Sequence, residues 1–95
     1  MFVMRSSEGL DERRKRALWR AWRRGTREMD IMFGLFANEA IAGFDDADLA
    51  EFERLLDEQD TDLQKWFMGQ VPVATDFDTP LFHRIVAFRA AHPIG

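Results

Sequence analysis

The chain has 95 residues and contains neither cysteine nor tyrosine. The absence of cysteine excludes a disulfide scaffold, a thiol nucleophile and any metal or iron–sulfur cluster held by thiolates. Long apolar stretches are also missing, because the longest one, Ile31 to Ala37, has seven residues, whereas a membrane-spanning helix needs roughly 20. We therefore expect a single domain, residues 1–95, that does not insert into a membrane.

Side chains that act as nucleophiles or bases are scarce. The two serines, Ser6 and Ser7, lie near the N-terminus with no partnered base nearby, so they do not match an activated nucleophile. The two histidines, His83 and His92, fall in the last predicted helix and at its C-terminal end, where a cation suits the helix dipole. We interpret both histidines as structural and expect no catalytic site.

The carboxylates of Asp57, Asp60 and Asp62 are the best candidates for a metal site. A calcium-binding loop that began at Asp57 would need a glycine where Asp62 stands. We therefore expect these side chains to cap a helix and to lie on the solvated surface. The glycines are isolated and no strand precedes them, so no phosphate-binding loop is predicted. The chain is not expected to bind a metal or to hold a nucleotide cofactor tightly.

Apolar and charged side chains are both abundant, and the charges are unevenly distributed. The hydrophobic content of 46% argues against a disordered chain. Residues 5–27 carry a charge of +6 and residues 28–95 a charge of −10, for a net charge of −4. The basic part could bind an acidic partner, or the two parts could pack together and neutralise each other. The sequence leaves both alternatives open.

Apolar residues recur at intervals of three and four, and the alternation that marks strands is absent. Leu18, Trp19 and Trp22 form the apolar stripe of a first predicted helix, over about residues 11–24. A second helix is predicted to run to about Ala42, where Gly43 would form a left-handed C-terminal cap. The inward faces of the second to fifth helices are predicted to contain Met29, Met32, Phe33, Phe36, Ala37, Ala40, Leu49, Phe52, Leu55, Leu56, Leu63, Trp66, Phe67, Leu81, Phe82, Ile85, Val86 and Phe88.

Capping residues mark the beginnings of the later helices. Asp45 or Asp46 is expected to cap a third helix. Thr61 and Gln64 match a capping box that would open a fourth helix, and Gly69 would end it. A proline after a threonine, at residues 79–80, is typical of an N-cap and first helical position.

The fifth helix is predicted to run from this proline to His92, after a loop over residues 71–79. Five short helices with short connections predict a compact all-α bundle. Residues 1–10 are expected to form a flexible N-terminal segment.

The segment RAWRRGTREMD, residues 20–30, does not match a helix selected for stability alone. Arginines four residues apart repel each other on a helix, and Gly25 would cost about 1 kcal/mol relative to alanine in a helix interior. A glycine between arginines also allows another surface to approach the backbone closely. The segment is either an interaction surface or a turn between two helices with solvated charges around it. The spacing also permits an ion pair between Arg24 and Glu28.

RRGTREMD, at residues 23–30, resembles the Arg-Gly-x-x-Glu signature, with its following aspartate, of the succinate dehydrogenase assembly factors called SdhE in bacteria. LFANE at 35–39, FERLLDEQD at 52–60 and DLQKW at 62–66 agree with that family in order and spacing. The resemblance covers about residues 13–70. The last predicted helix agrees with the family in its general character but contains no motif of the family.

The resemblance implies a five-helix bundle that helps to attach FAD covalently to a histidine of the succinate dehydrogenase flavoprotein. Some members of that family serve the related fumarate reductase. It therefore implies an assembly chaperone without a catalytic site, with FAD handled on the client rather than bound by the chain itself. The residues implied to dock against the flavoprotein are Arg24, Gly25 and Glu28, flanked by Arg23, Arg27 and Asp30.

Two other functions stay open. The chain could be a generic helical interaction module, or an antitoxin-like or nucleic-acid-associated factor. Trp19 and Trp22 interleave with arginines as in surfaces that stack on bases, but the net charge of −4 disfavours nucleic acid.

The N-terminal residues do not match a secretory signal, because no apolar run follows the basic residues. Glu8, Asp11 and Glu12 interrupt the basic residues, which disfavours a mitochondrial targeting segment and the mitochondrial matrix. A bacterial cytoplasm is the expected location.

Overall fold

The computed structural model describes residues 3–92, which form five α-helices and no strand. This confirms the predicted all-α fold. Within the described residues, no helix is both long and apolar enough to span a bilayer. The helices are α1 (Glu12–Ala21), α2 (Arg27–Ala40), α3 (Asp46–Leu56), α4 (Asp60–Phe67) and α5 (Pro80–Ala91), with 3-10 turns at Ile41–Gly43 and Thr75–Phe77.

Two predicted N-caps are confirmed. The carboxylate of Asp45 accepts a hydrogen bond from the backbone N–H of Asp48 at 2.7 Å, and the hydroxyl of Thr79 accepts one from Phe82 at 3.2 Å. Each satisfies a backbone donor that the first helical turn leaves without a partner. Pro80 is the first residue of α5, where its missing N–H costs nothing.

The predicted boundaries of the first two helices are partly wrong. Helix α1 ends at Ala21 rather than near residue 24, and the turn that follows it contains Gly25 with φ +120°. Helix α2 ends at Ala40 and continues as a 3-10 turn through Gly43. Gly43 does not have the predicted left-handed conformation, whereas Gly69, at the end of α4, has φ +72°.

The predicted capping box at the start of the fourth helix is also wrong. Helix α4 begins at Asp60, so Thr61 lies inside the helix, and the N-cap Gln59 makes no side-chain capping bond. The N–H of Leu63 bonds to the carbonyl of Gln59, which starts the helix before the threonine. The carboxylate of Asp60 pairs with Arg24.

All five helices contribute to one core. Phe33, Phe36, Phe44 and Phe52 form its aromatic centre, with neighbouring ring centroids 5.5 to 6.0 Å apart. The predicted inward faces of α2 to α5 are buried or half-buried in this core. The prediction for Trp19 is wrong, because its side chain is 54% exposed.

The described part of the N-terminal segment is hydrogen bonded to α2. The side-chain oxygen of Asn38 accepts from the N–H of Arg5 at 2.9 Å, and its amide nitrogen donates to the carbonyl of Val3 at 2.8 Å. Leu10 is buried in the core. The flexibility expected for residues 1–10 stays a prediction, and Met1 and Phe2 lie outside the described residues.

Candidate functional site

The Arg-Gly-x-x-Glu signature spans the turn between α1 and α2 and the first two residues of α2. Gly25 has φ +120°, a conformation that residues with a side chain rarely adopt. Thr26 then caps α2, since its hydroxyl accepts from the N–H of Met29 at 3.3 Å. The sequence left open whether the segment around Gly25 is an interaction surface or a turn between two helices, and the structure shows the turn. A turn at this position can still belong to an interaction surface.

Arg24 points into the protein rather than toward solvent. Its guanidinium lies 2.8 Å from a carboxylate oxygen of Asp60, and the two side chains are 8% and 20% exposed. It also donates to the carbonyl oxygens of Leu56 and of Glu58, the latter at 2.6 Å. Arg24 thus connects the inter-helix turn to the end of α3 and the start of α4. Its partner is Asp60 and not Glu28.

Asp30 holds the turn from the other side. Its carboxylate accepts hydrogen bonds from the backbone N–H groups of Arg24 and of Gly25, the second at 3.2 Å. A carboxylate that accepts from two consecutive N–H groups restrains the backbone between them, and it also suits the positive end of the α2 dipole. Arg24 and Asp30 together restrain the turn that contains Gly25.

The other three predicted site residues are exposed. Arg23 lies over the ring of Trp19, and Glu28 is 3.7 Å from Arg89 of α5. Arg27 borders a hollow of about 430 Å³, together with Trp22, Asp30 and Ile31. The structure therefore divides the predicted residues into two sets. Arg24, Gly25 and Asp30 build the turn, whereas Arg23, Arg27 and Glu28 face solvent.

Trp22 forms the wall between this hollow and the core. Its ring packs against Gly34 of α2, where an added Cβ would lie 2.3 Å from the ring. Its indole N–H donates to Asn38 at 3.1 Å. The half-buried side chain of Trp22 is therefore held by an apolar contact with Gly34 and by a hydrogen bond to Asn38.

The basic part of the chain is partly neutralised within the molecule. Besides the pair of Arg24 and Asp60, Arg13 pairs with Glu53 at 2.7 Å and Arg20 with Asp57 at 2.5 Å. The carboxylate of Glu53 raises the pKa of the Arg13 guanidinium. Among the residues that the structure describes, Arg16, Arg23 and Arg27 make no ion pair. Both alternatives left open by the sequence are thus realised in part: Arg13, Arg20 and Arg24 pair with carboxylates of residues 28–95, whereas the exposed Arg16, Arg23 and Arg27 are available to a partner.

The internal partners Asp57 and Asp60 were not recognised as such from the sequence. Each lies 36 or 37 positions from its arginine, so no local spacing connects them. The opposite net charges of residues 5–27 and 28–95 were the one feature of the sequence that indicated ion pairs between these two parts. Residues 3–92 contain no cluster of three His, Asp or Glu side chains that could hold a metal ion.

A second hollow, of about 480 Å³, lies between α2 and α5. It is bordered by apolar side chains such as Phe36 and Phe88, and by Arg84, Glu39 and His92. His92 stacks on Phe88, and His83 lies 2.5 Å from Asp78 on the surface. These contacts are consistent with the structural interpretation of the two histidines.

Over residues 3–92, the fold and site define a five-helix protein that presents arginine and glutamate side chains from a restrained inter-helix turn and the helix after it. A family model described as "Flavinator of succinate dehydrogenase" matches residues 15–89. The chain belongs to this family. The resemblance inferred from the signature is confirmed, and the match extends through most of α5.

Curated relatives agree with this assignment. The chain is 37% identical over 89 residues to "Succinate dehydrogenase assembly factor 2, mitochondrial" of Mycosarcoma maydis, covering 87% of this chain and 37% of the relative. It is 34% identical over 64 residues to the protein of the same name from Debaryomyces hansenii, covering 67% and 45%. It is 32% identical over 81 residues to "FAD assembly factor SdhE" of Acetobacter pasteurianus, covering 85% and 74%. The chain thus spans less than half of the two fungal relatives and about three quarters of the bacterial one.

Proposed function

We propose that this chain binds the flavoprotein subunit of succinate dehydrogenase and promotes the covalent attachment of FAD to that subunit. Membership of the flavinator family supports this function. The structural observation that carries it is the restrained turn at Gly25, from which Arg23, Arg27 and Glu28 face solvent. The chain acts as an assembly factor by binding its client, and the chemistry occurs on the client.

Orientation is the contribution that such a partner can make. Covalent attachment requires a histidine nitrogen of the client to be held against the flavin methyl carbon, and correct placement alone accelerates such a step strongly. A small partner that binds one conformation of the flavoprotein more tightly than others increases the population of that conformation. A restrained surface serves this purpose because little of its binding free energy is lost in ordering it.

The two sets of signature residues have different roles in this proposal. Arg27 and Glu28 contact the client near its flavin site, together with Arg23. Arg24 and Asp30 keep the turn in the conformation that presents them. FAD is cargo on the client rather than a cofactor of this chain. The proposed location is the bacterial cytoplasm, and the fumarate reductase flavoprotein is a second proposed client.

The test is in-gel flavin fluorescence of the denatured flavoprotein, which detects only covalently attached FAD. The client is produced with the wild-type chain, without it, or with Glu28→Ala. Glu12→Ala is the matched control, because each glutamate is exposed in the first turn of a helix and lies 3.7 Å from one cation. We expect fluorescence with the wild type and Glu12→Ala, and little without the chain or with Glu28→Ala. Equal fluorescence in all four samples would refute the function for this client.

Gly25→Arg gives an independent test of the turn. We expect both Gly25→Arg and Glu28→Ala to retain the circular dichroism of the wild type but to lose binding to the purified flavoprotein. The φ of +120° strains any side chain at position 25, so Gly25→Arg should also unfold at a lower temperature. Glu28→Ala should unfold at the same temperature as the wild type. A loss of helicity in Glu28→Ala would mean that this residue supports the fold instead of the contact.

A further inference from the structure

Trp19 is the exposed aromatic side chain that the fold does not explain. The described part of the chain buries or half-buries its other tryptophans and its phenylalanines, whereas Trp19 is 54% exposed on α1. Its neighbours Ala17, Leu18 and Ala21 already supply the buried face of that helix. The exposed indole therefore contributes little to the core.

Two arginines without an ion pair in the described residues lie next to Trp19, Arg16 on α1 and Arg23 just beyond the end of that helix. The guanidinium of Arg23 is centred 3.1 Å from the Trp19 ring, and it donates to the carbonyl of Trp19 at 3.3 Å. Arg16 is exposed and lies three residues before Trp19, which places the two side chains on one helix face. We call Arg16, Trp19 and Arg23 the α1 strip. It combines one large apolar surface with two cations that have no carboxylate partner in the described residues.

We propose that the α1 strip is a second docking surface for the flavoprotein client, and that it binds an acidic segment carrying an apolar side chain. This inference rests on the proposed function and extends the contact from the signature turn onto α1. Arg23 belongs to both surfaces, since it directly precedes Arg24 and Gly25. The apolar side chain of the partner covers the indole, and its carboxylates pair with Arg16 and Arg23.

Charge favours an acidic protein over a nucleic acid as the occupant. Nucleic-acid affinity rests on many phosphate contacts, but the strip offers two unpaired cations. The neighbouring Arg20 is already paired with Asp57 of α3, so a phosphate backbone there would meet a carboxylate. Tryptophan and arginine are also the residues that most often dominate protein–protein affinity.

The decisive measurement is the affinity of the folded chain for the purified flavoprotein, by titration calorimetry. We expect Trp19→Ala to weaken binding at least about tenfold. Val71→Ala is the apolar control, because Val71 is also exposed, at 41%, but lies in the segment after α4. It should bind like the wild type. Circular dichroism verifies that both variants are folded, as expected for exposed positions.

Charge is tested by comparing Arg16→Ala with Lys65→Ala, each of which removes one exposed cation. Arg16→Ala should slow association about threefold and reduce its dependence on salt, whereas Lys65→Ala should do neither. Equal effects of the two variants would indicate general attraction to the client and would overturn the role of the strip.

The outcomes separate this inference from the proposed function. Wild-type affinity in Trp19→Ala would overturn the strip and leave the function intact, whereas a wild-type chain that does not bind the flavoprotein would overturn both. A labelled 20-nucleotide single strand is the second ligand. Tight binding of that strand that is lost in Trp19→Ala would assign the strip to nucleic acid and refute an acidic protein as its occupant.

Discussion

Arg24 and Asp60, which are 36 positions apart in the sequence, form an ion pair that is largely shielded from water. The pair joins the signature turn to the start of α4. Because the same guanidinium also donates to two backbone carbonyls of residues 56–58, it orders the α3–α4 connection as well.

Arg24→Ala should therefore reduce the free energy of unfolding by about 3 kcal/mol, since it leaves a shielded carboxylate and two carbonyl acceptors without their partner. Urea denaturation followed by circular dichroism measures this change. Arg20→Ala is the matched control, because it breaks a solvent-exposed pair with Asp57 and should cost at most about 1 kcal/mol. Similar losses in the two variants would show that Arg24 is not shielded in solution.

Gly34→Ala should destabilise the fold, because its Cβ would lie 2.3 Å from the ring of Trp22. We expect a net loss of about 1–3 kcal/mol in the free energy of unfolding, despite the better helix propensity of alanine. Displacement of Trp22 should also shift the tryptophan fluorescence. Gly43→Ala is the control, since a Cβ there meets no atom within 4 Å. A stable Gly34→Ala protein with unchanged fluorescence would contradict the packing of Trp22.

Asn38→Ala should release the N-terminal segment from α2. The substitution removes the oxygen that accepts from the backbone N–H of Arg5 and from the indole N–H of Trp22. It also removes the amide nitrogen that donates to the carbonyl of Val3. The exchange of the Arg5 amide with deuterium should therefore accelerate at least about tenfold, since that amide becomes open to solvent. Glu39→Ala, at the next and exposed position of the same helix, should leave the exchange unchanged. Slow exchange in Asn38→Ala would mean that other contacts hold residues 3–5.

Asp11 provides a prediction on pH. The hydrogen bond from the side chain of Arg14 lowers the pKa of the Asp11 carboxyl below its ordinary value of 3.8. A carboxyl whose pKa is lower in the folded state contributes stability above the unfolded-state pKa, and this contribution is lost as the pH falls through the folded-state pKa. The wild type should thus be slightly more stable than Asp11→Asn at pH 7.

The difference between the two proteins should disappear as the pH falls through the folded-state pKa of Asp11, as measured by urea denaturation at each pH. The effect is small because the carboxyl is exposed to solvent. Carbon-detected NMR titration of Asp11 gives a direct check, and a midpoint at or above 3.8 would contradict the prediction.

Helix starts could be predicted from the sequence where a single side chain supplies the cap. Asp45 and Thr79 reach a backbone N–H three residues ahead, and nothing distant affects that contact. Thr61 fits the same pattern, yet α4 begins before it. The difference is that Asp60 pairs with Arg24 of the turn between α1 and α2, and this distant contact competes with any local arrangement.

The sequence also indicated where the candidate site lies, but not how its residues divide. Arg23 and Arg24 are adjacent and of one residue type, but one is exposed and the other is shielded beside Asp60. Both arginines lie in the turn beyond the end of α1 at Ala21, where side chains no longer follow helical spacing. No spacing rule for a continuous helix can describe such a turn.

By itself, the sequence determined the helical class, the number of helices, most of the buried faces and the family signature. These depend on interactions within one or two helical turns, which residue spacing encodes directly. Only the tertiary structure decided the exposure of Trp19, the partner of Arg24 and the conformation of Gly25. Each of these depends on how α1 packs against α2 and α3 and on contacts between residues far apart in the chain.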